Sequence, residues 1–355
     1  MQDVVKLALS SKHQQKGILL ISAGAVFRPI GVLMLILAAI ASIPSTSKPA
    51  VIYLLAGVFA VIGGVFVGVA NETRKAGRRY LSPIINSPEE VVSGMPFVLY
   101  LRTFGDDFRL ASSGGRTHAE RPLSGTMREL RDLAPALESW QTEEEQLRAA
   151  LRPFGPMVAV GIPGEKLPEL GAARLYLEQD NWKNSVLEML EKAARDGLVL
   201  MTAGNGASLR WEFEQVVREN SPGRLVLLVP MNAESYNEFL AQAAQIFPKP
   251  FPRYPAGKTH HRYHAIIRGA IYFDGDWTPH FVRFDTTRSA GNWQRIIESR
   301  FVLGMRPVYD RLGADWPAIR WLGMTRSQAL PFAVQMTILL VPFCYLTWFI
   351  FTLPS

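Results

Sequence analysis

Three long apolar stretches constrain this chain more than any other feature. They run over about 23–43, 50–70 and 329–353. Each is long enough to cross a hydrocarbon core of about 30 Å as a helix. Together they raise the mean hydropathy to +0.08, which is high for a soluble protein. We therefore expect three transmembrane helices, the first two forming a hairpin in which the Gly64–Gly68 spacing permits close helix packing.

Basic residues next to these stretches predict the orientation. Lysines lie in the N-terminal segment 1–22, a basic cluster follows the second stretch, and two arginines precede the third. These residues are Lys6, Lys12, Lys16, Arg74, Lys75, Arg78, Arg79, Arg320 and Arg326. Positive charge favours the cytoplasmic side, so we expect a multi-pass protein of the inner membrane with segment 1–22 and the region 80–325 in the cytoplasm. A re-entrant or peripheral last segment is the alternative.

Charge and cysteine content narrow the functional class. The net charge is +7, which in a chain with apolar spans indicates loops facing anionic lipid. No nucleic-acid-binding motif accompanies it, so we expect the lipid bilayer and not a nucleic acid as partner. The single cysteine, Cys344, excludes a disulfide within the chain. His260, His261 and His264 lack neighbouring acidic or cysteine ligands, which favours a solvated basic loop over a metal site.

The region 80–325 alternates short apolar runs with helical patterns. The runs at 97–102, 157–161, 198–202 and 225–230 predict strands buried on both faces. Helices are predicted at 143–151, 182–195, 209–220 and 233–246, followed by a hairpin that turns at Gly275 and a last helix at 292–312. Such alternation predicts a parallel sheet with helices on both faces. The polar stretch 105–141 is too long for an ordinary loop and predicts an insertion.

Candidate binding residues follow the predicted strands, where open parallel sheets bind ligands. Arg102, Thr103 and Phe104 follow the first strand, and Arg102 suits a phosphate or carboxylate. A glycine-rich loop follows the second strand, Trp182 opens the next helix, and a second glycine-bearing loop opens the helix that carries Ser208 and Trp211. Glycines in such loops bring backbone amides close to a phosphate. The residues that carry this prediction are Gly161, Gly164, Trp182, Gly204, Ser208 and Trp211.

The helix 209–220 carries two candidate carboxylates. Leu209, Phe213 and Val216 share one face, which predicts packing on the sheet. Glu212 borders that face in the first turn, where the helix dipole favours an anion, and Glu214 points toward solvent. The alternative is that Glu212 only complements the helix N-terminus.

The order of these segments resembles a TIR domain. The likeness covers about 96–230 and rests on FVLYLRTFGDD, EEQLRAAL, GIPGEKLPELG, Trp182, LVLMT and SLRWEFEQ. It is nearest to bacterial membrane-tethered TIR-like proteins and implies a flavodoxin-like parallel sheet. It also implies homo-oligomers formed through the TIR-like domain or the membrane helices.

The resemblance implies a reaction as well. Many TIR domains cleave NAD at its N-glycosidic bond with one glutamate, which predicts NAD(P) as substrate, no metal or further cofactor, and a role in signalling or defence. The family spacing from Trp211 selects Glu214, whereas helical geometry selects Glu212 as the catalytic residue. The alternatives are a non-catalytic interaction module that assembles through 162–171 and a nucleotide sensor at the membrane.

Overall fold

The computed structural model describes residues 11–43, 49–85, 87–93, 95–102, 141–161, 167–177, 182–204, 207–219, 221–256, 266–284 and 295–317. Within these residues the chain divides into two compact units, a helical hairpin and an α/β unit. The predicted third span at 329–353 and the insertion 105–141, apart from Gln141, lie outside the described residues.

The hairpin consists of helix α1 (Ser11–Ala41) and helix α2 (Ala50–Tyr80). Both are long and apolar enough to cross a membrane, and only 17% of the most apolar window of each is buried. The rest of that apolar surface therefore faces outward. The helices extend beyond the predicted apolar runs because their polar ends, including the basic cluster after Ala70, continue the same helix.

Small residues at seven-residue intervals bring α1 and α2 together. A methyl group built on Gly31 would lie 2.7 Å from the carbonyl oxygen of Gly63, and one built on Gly77 would lie 2.7 Å from that of Gly17. Gly24 is equally close to the carbonyl oxygen of Ala70. Backbones at this separation leave no room for larger side chains. A spacing of seven keeps one face of each helix toward the other.

The predicted contact residues Gly64 and Gly68 do not take part in this packing. A methyl group built on either would meet no atom within 4 Å. Gly63 lies in the interface instead. It belongs to the seven-residue repeat of small residues on α2 that faces the glycines of α1, whereas Gly64 and Gly68 lie outside that repeat.

The α/β unit contains one sheet of eight strands. They are β1 (Ile84–Ile85), β2 (Val98–Leu101), β3 (Met157–Val160), β4 (Ala173–Leu175), β5 (Leu198–Thr202), β6 (Leu225–Val229), β7 (Gly269–Phe273) and β8 (Pro279–Arg283). Their order across the sheet is β1-β4-β3-β2-β5-β6-β7-β8. The strands from β1 to β6 run parallel. Strand β7 is antiparallel to both of its neighbours, β6 and β8.

Helices surround this sheet. They are α3 (Pro88–Ser93), α4 (Glu143–Leu151), α5 (Trp182–Asp196), α6 (Ala207–Glu219), α7 (Ala233–Ala243), α8 (Ile296–Gly304) and α9 (Arg306–Arg311). The four predicted strands and the helices α4 to α7 are confirmed to within a few residues. The predicted helix 292–312 is instead two helices, because Pro307 in the first turn of α9 cannot donate a backbone hydrogen bond.

Alternating side chains of the central strands build two cores. Leu99 and Leu101 of β2 pack with apolar residues of α3, α5, α6 and α7. Val98 and Tyr100 face the opposite side and pack with α4, α8 and α9. Helices therefore cover both faces, as predicted for buried parallel strands. The predicted parallel α/β sheet is thus confirmed, with an antiparallel extension at one edge.

Candidate functional site

The carboxyl ends of β2 and β5 mark the point where the sheet reverses its winding. After β2 the chain moves to β3 on one side, and β5 and β6 follow on the other side. In open α/β sheets ligands bind in the crevice outside the strand ends at this point. Thr202 ends β5, and Ala203 and Gly204 lead from it to α6. The residues at the start of α6 therefore lie where a ligand site is expected.

An apolar stripe packs helix α6 on the core and so fixes the direction in which each of its side chains points. Leu209, Phe213 and Val216 are buried in the core beneath α6. A methyl group on Gly204 would lie 3.2 Å from Leu209 Cδ2, so the loop and the first turn of the helix pack together. Trp211 lies on the side of α6 that faces α5, since its ring contacts Trp182. Glu212 is about 100° round the helix from Trp211, between that side and the core stripe.

Glu212 is a buried carboxyl group, and one of its two oxygens has no hydrogen-bond partner among the described residues. Its exposed fraction is 9%, and its Oε2 atom has no hydrogen-bond partner in the part of the chain that the structure describes. Burial raises the pKa of Glu212 to about 8, because an apolar environment disfavours the charged form. At neutral pH the Glu212 carboxyl group is therefore mainly protonated.

One expectation for Glu212 is wrong. The helix begins at Ala207, two residues before the predicted start, and its first turn contains no acidic residue. Glu212 therefore lies in the second turn, beyond the reach of the terminal dipole.

Glu214 has different surroundings. Its side chain is 45% exposed and its Oε1 atom lies 3.2 Å from Nε of Arg210, one turn earlier on α6. Such an exposed pair contributes about 0.3–0.5 kcal/mol to stability. The structure thus separates the two candidate carboxylates, with Glu212 in the protein interior and Glu214 in solvent.

Trp211, the residue before Glu212, meets a second tryptophan and a lysine of α5. The rings of Trp182 and Trp211 meet edge to face, with centroids 5.5 Å apart and planes at 71°. Nζ of Lys183 lies 5.8 Å from the Trp182 centroid and 5.4 Å from the Trp211 centroid. Both indoles are half-buried. The aromatic faces thus already attract a cation, and a planar cation of higher affinity would compete with Lys183 for them.

Arg102, predicted to bind a phosphate or carboxylate, belongs to a buried ion cluster. Its Nη1 atom lies 3.1 Å from Glu144 Oε1, and Nη2 of Arg174 lies 3.3 Å from the same oxygen. The Arg102 guanidinium also lies 4.8 Å from the Tyr100 ring centroid. Glu144 belongs to α4 and Tyr100 faces the α4 side of the sheet. Arg102 therefore lies on the face opposite to α6.

This cluster is structural. Burial would raise the pKa of Glu144, but the charges of Arg102 and Arg174 outweigh it and hold that pKa below its ordinary value. Glu144 Oε1 also accepts the backbone N–H of Ala172 at 2.9 Å. Arg102 links the end of β2 to Glu144 of α4, and Arg174 links β4 to the same carboxylate. Because the Arg102 side chain is 3% exposed, it offers little surface to a ligand.

Some of the remaining predicted binding residues lie in the described part of the structure, and others lie outside it. A methyl group on Gly161 would lie 2.5 Å from the Tyr176 ring, so Gly161 allows Tyr176 to approach β3. Gly204 is half-buried beside Leu209. Thr103, Phe104, Gly164 and the Ser208 side chain lie outside the described part of the structure. Of the predicted binding residues, Trp182, Trp211 and Gly204 thus accompany Glu212 on the α5–α6 side.

The loop proposed as an assembly surface is partly buried. Pro168, Glu169, Leu170 and Gly171 are all buried. The residues 162–166 lie outside the described part. Assembly through the loop 162–171 would therefore have to use its first half.

Sequence reasoning missed Glu144, Arg174 and Lys183. Glu144 lies in the run of three glutamates that opens α4, and nothing in that run distinguishes the buried Glu144 from its half-exposed neighbour Glu145. Lys183 follows Trp182, and its role depends on Trp211, which is distant in sequence. Only the three-dimensional contacts reveal these residues.

The described residues contain no group of three histidine, cysteine or acidic residues placed to hold a metal ion. Comparison with models of protein families, with curated proteins and with solved structures finds no match to the chain. The case for a function therefore rests on the site itself.

Proposed function

We propose that this protein is a membrane-anchored TIR-like hydrolase that cleaves NAD(P) at its N-glycosidic bond. One observation carries the proposal. Glu212 is a buried carboxyl group whose Oε2 atom has no hydrogen-bond partner among the described residues, and it follows Trp211 of an aromatic pair on the helix after β5. A buried carboxylate next to aromatic faces suits a planar cation, and the nicotinamide ring of NAD(P) is one.

The sheet order supports the TIR-like part of the proposal. Without the short strands β1 and β4, the parallel strands follow the order β3-β2-β5-β6. This is the order 2-1-3-4 with which a flavodoxin-like sheet begins. β4 then extends the connection from β3 to α5, and β1 is an addition from the segment after α2.

The reaction needs one carboxylate and no general acid. The bond between the ribose C1′ and the pyridinium nitrogen breaks, and its electron pair leaves with nicotinamide, which becomes neutral. The ribosyl group develops oxocarbenium character, as in glycoside hydrolysis. Ionised Glu212 stabilises that positive charge. Water then bonds to C1′ and releases a proton, which gives ADP-ribose.

The raised pKa of Glu212 fits binding of a cation. The Glu212 carboxyl group is mainly protonated near pH 7, because its pKa is about 8. A cationic ring brought close to it favours the ionised form. Substrate binding therefore releases a proton from Glu212, and affinity for the cation rises as the pH increases toward 8.

The test is nicotinamide release from NAD by the full chain in detergent or lipid nanodiscs. We expect Glu212→Gln to lower kcat by about 10²–10³-fold, the usual loss when one stabilising group is removed. Glu214→Gln is the matched control, which should change kcat by less than about twofold because its exposed pair is weak. Equal activity of the wild type and Glu212→Gln would exclude Glu212 as the catalytic residue.

A nucleotide sensor is the second candidate function, and the protonated state of Glu212 favours it. A carboxyl group with a pKa of about 8 binds a cation by giving up a proton, whether or not a bond is later broken. Calorimetric titration with NAD in two buffers of different ionisation enthalpy measures that proton. Proton release without nicotinamide release would favour sensing over hydrolysis.

The membrane placement is part of the proposal. The basic residues after the second apolar run support a cytoplasmic α/β unit in the inner membrane, by the positive-inside rule. Homo-oligomers, formed through the TIR-like domain or the membrane helices, would place several sites at one membrane patch. Protease accessibility in oriented vesicles tests the orientation, and chemical cross-linking in the membrane tests the assembly.

A further inference from the structure

Arg79, in the last turn of α2, holds the buried half of the loop after β3. Its Nη2 atom donates to the carbonyl oxygen of Leu167 at 2.8 Å, and its Nε atom donates to that of Pro168 at 3.1 Å. Nη2 also lies 2.9 Å from Glu169 Oε1. One guanidinium thus binds three consecutive residues. Glu169 is buried, so its pair with Arg79 lies where water screens the two charges little.

The chain after Arg79 continues along the same part of the fold. The carbonyl oxygen of Pro83 accepts the backbone N–H of Arg174 at 3.1 Å, and Ile84 and Ile85 pair with Arg174 and Leu175 of β4. Helix α3 then packs against α5, and its Val91 lies in the same core as α5. The segment after α2 is therefore bonded into the sheet and is no flexible linker.

The segment that Arg79 holds leads to the candidate site. Gly171 has a φ of 133°, a conformation that side chains other than glycine rarely adopt. The next residue, Ala172, donates its N–H to Glu144, and β4 begins at Ala173. After β4 the chain reaches Trp182, the first residue of α5. The residues bound by Arg79 therefore lie shortly before Trp182 in sequence, and the ring of Trp182 contacts Trp211 of the candidate site.

We propose that Arg79 is a clamp that transmits displacement of the end of α2 to residues 167–175. Arg79 belongs to the same helix as the apolar run, because α2 is continuous from Ala50 to Tyr80. A change in hydrophobic thickness alters the tilt or depth of a spanning helix, and the clamp then shifts the segment before β4. The inference rests on the proposed membrane placement of α2 and not on any chemistry at Glu212.

Hydrogen exchange of the full chain in lipid nanodiscs with short or long acyl chains tests this clamp, without NAD. In the wild type we expect the exchange rate of peptides covering 167–177 to differ by about fivefold between the two bilayers, since mismatch of several Å carries a modest free-energy cost. In Arg79→Gln the rate should be faster and equal in both bilayers. A wild-type rate that ignores thickness, or a variant that keeps the dependence, would overturn the proposal.

Two further variants keep the experiment decisive. Arg78→Gln removes the same charge one residue earlier and should retain the thickness dependence. Glu169→Gln removes the buried charge while keeping the side-chain volume, and should weaken the dependence as Arg79→Gln does. If Arg79→Gln does not fold, Glu169→Gln decides the question by the same measurement. Because the readout is exchange and not nicotinamide release, failure of the clamp is distinguishable from failure of the proposed hydrolysis.

Discussion

Glu212 and Glu214 lie on the same helix two residues apart, yet one is buried and the other pairs with Arg210 in solvent. The difference follows from the helical period, since 200° of rotation separates the two side chains. Helical geometry therefore selects Glu212 where the family spacing selects Glu214. The buried position also gives Glu212 a pKa of about 8, which makes the choice testable without a substrate.

The stability of the α/β unit should fall as the pH rises from about 5 to 8. In the folded state the pKa values of Glu143 and Glu212 are raised to about 7 and about 8 by burial. Between pH 4.5 and these values the folded state keeps protons that the unfolded state has released, so each increase in pH favours unfolding. Each pKa unit corresponds to at most about 1.4 kcal/mol. Thermal unfolding followed by near-ultraviolet circular dichroism measures the trend.

The variant Glu212→Gln measures how much of this pH dependence of stability comes from Glu212. It removes the titrating group while keeping an uncharged side chain of similar size, so the variant should be more stable than the wild type at pH 8 and should show a flatter profile. Glu214→Gln should leave the profile unchanged because Glu214 is exposed. A profile that is the same in all three proteins would contradict the burial of Glu212.

Strands and helices with a local side-chain pattern could be predicted from the sequence. The runs LVLMT and LVLLV predicted β5 and β6, since continuous apolar runs bounded by polar residues are typical of strands buried on both faces. The helix pattern likewise predicted that Leu209 and Phe213 face the core, and both are buried. These predictions needed only the period of the side chains.

Features that depend on distant residues were not predictable. β4 has three residues with Arg174 at its centre, a sequence that does not indicate a buried strand. Arg174 is buried there because Glu144, 30 residues earlier, neutralises it. The face of the sheet that Arg102 takes was unpredictable for the same reason, since its partner Glu144 lies 42 residues later in the chain. Charges whose partners lie far away in sequence leave no local pattern.

The pairing of α1 and α2 can be tested with two neighbouring glycines. Gly63→Ala places a methyl group 2.8 Å from the carbonyl oxygen of Gly31, which forces the helices apart. Gly64→Ala meets no atom within 4 Å. The first variant should lower the thermal stability of the hairpin, whereas the second should be neutral or slightly stabilising because alanine favours helix. Disulfide cross-linking between cysteines introduced in α1 and α2 measures their separation, and equal efficiency in both variants would contradict this packing.

The aromatic pair should bind a planar cation without the rest of a nucleotide. The probe is 1-methylnicotinamide, a pyridinium ion whose binding is followed by tryptophan fluorescence. Trp211→Ala removes one of the two indoles that meet edge to face and should weaken binding by about tenfold, in line with a desolvated cation–π contact. Trp316→Ala is the control, since that exposed indole stacks on Arg306 at 4.1 Å. Equal loss in both variants, or no binding by the wild type, would argue against a cation site at Trp211.

The ion cluster around Glu144 should determine stability and not ligand binding. Glu144→Gln removes the carboxylate that both Arg102 and Arg174 contact, and breaking such a buried pair costs about 3–5 kcal/mol. Glu214→Gln breaks the exposed pair with Arg210 and should cost less than about 0.5 kcal/mol. Urea unfolding of the two variants in detergent compares these costs.

Because Arg102 and Glu212 lie on opposite faces of the sheet, Arg102→Gln should destabilise the protein while leaving affinity for 1-methylnicotinamide unchanged in the folded fraction. A large loss of affinity in a stably folded Arg102→Gln variant would instead place Arg102 in the site.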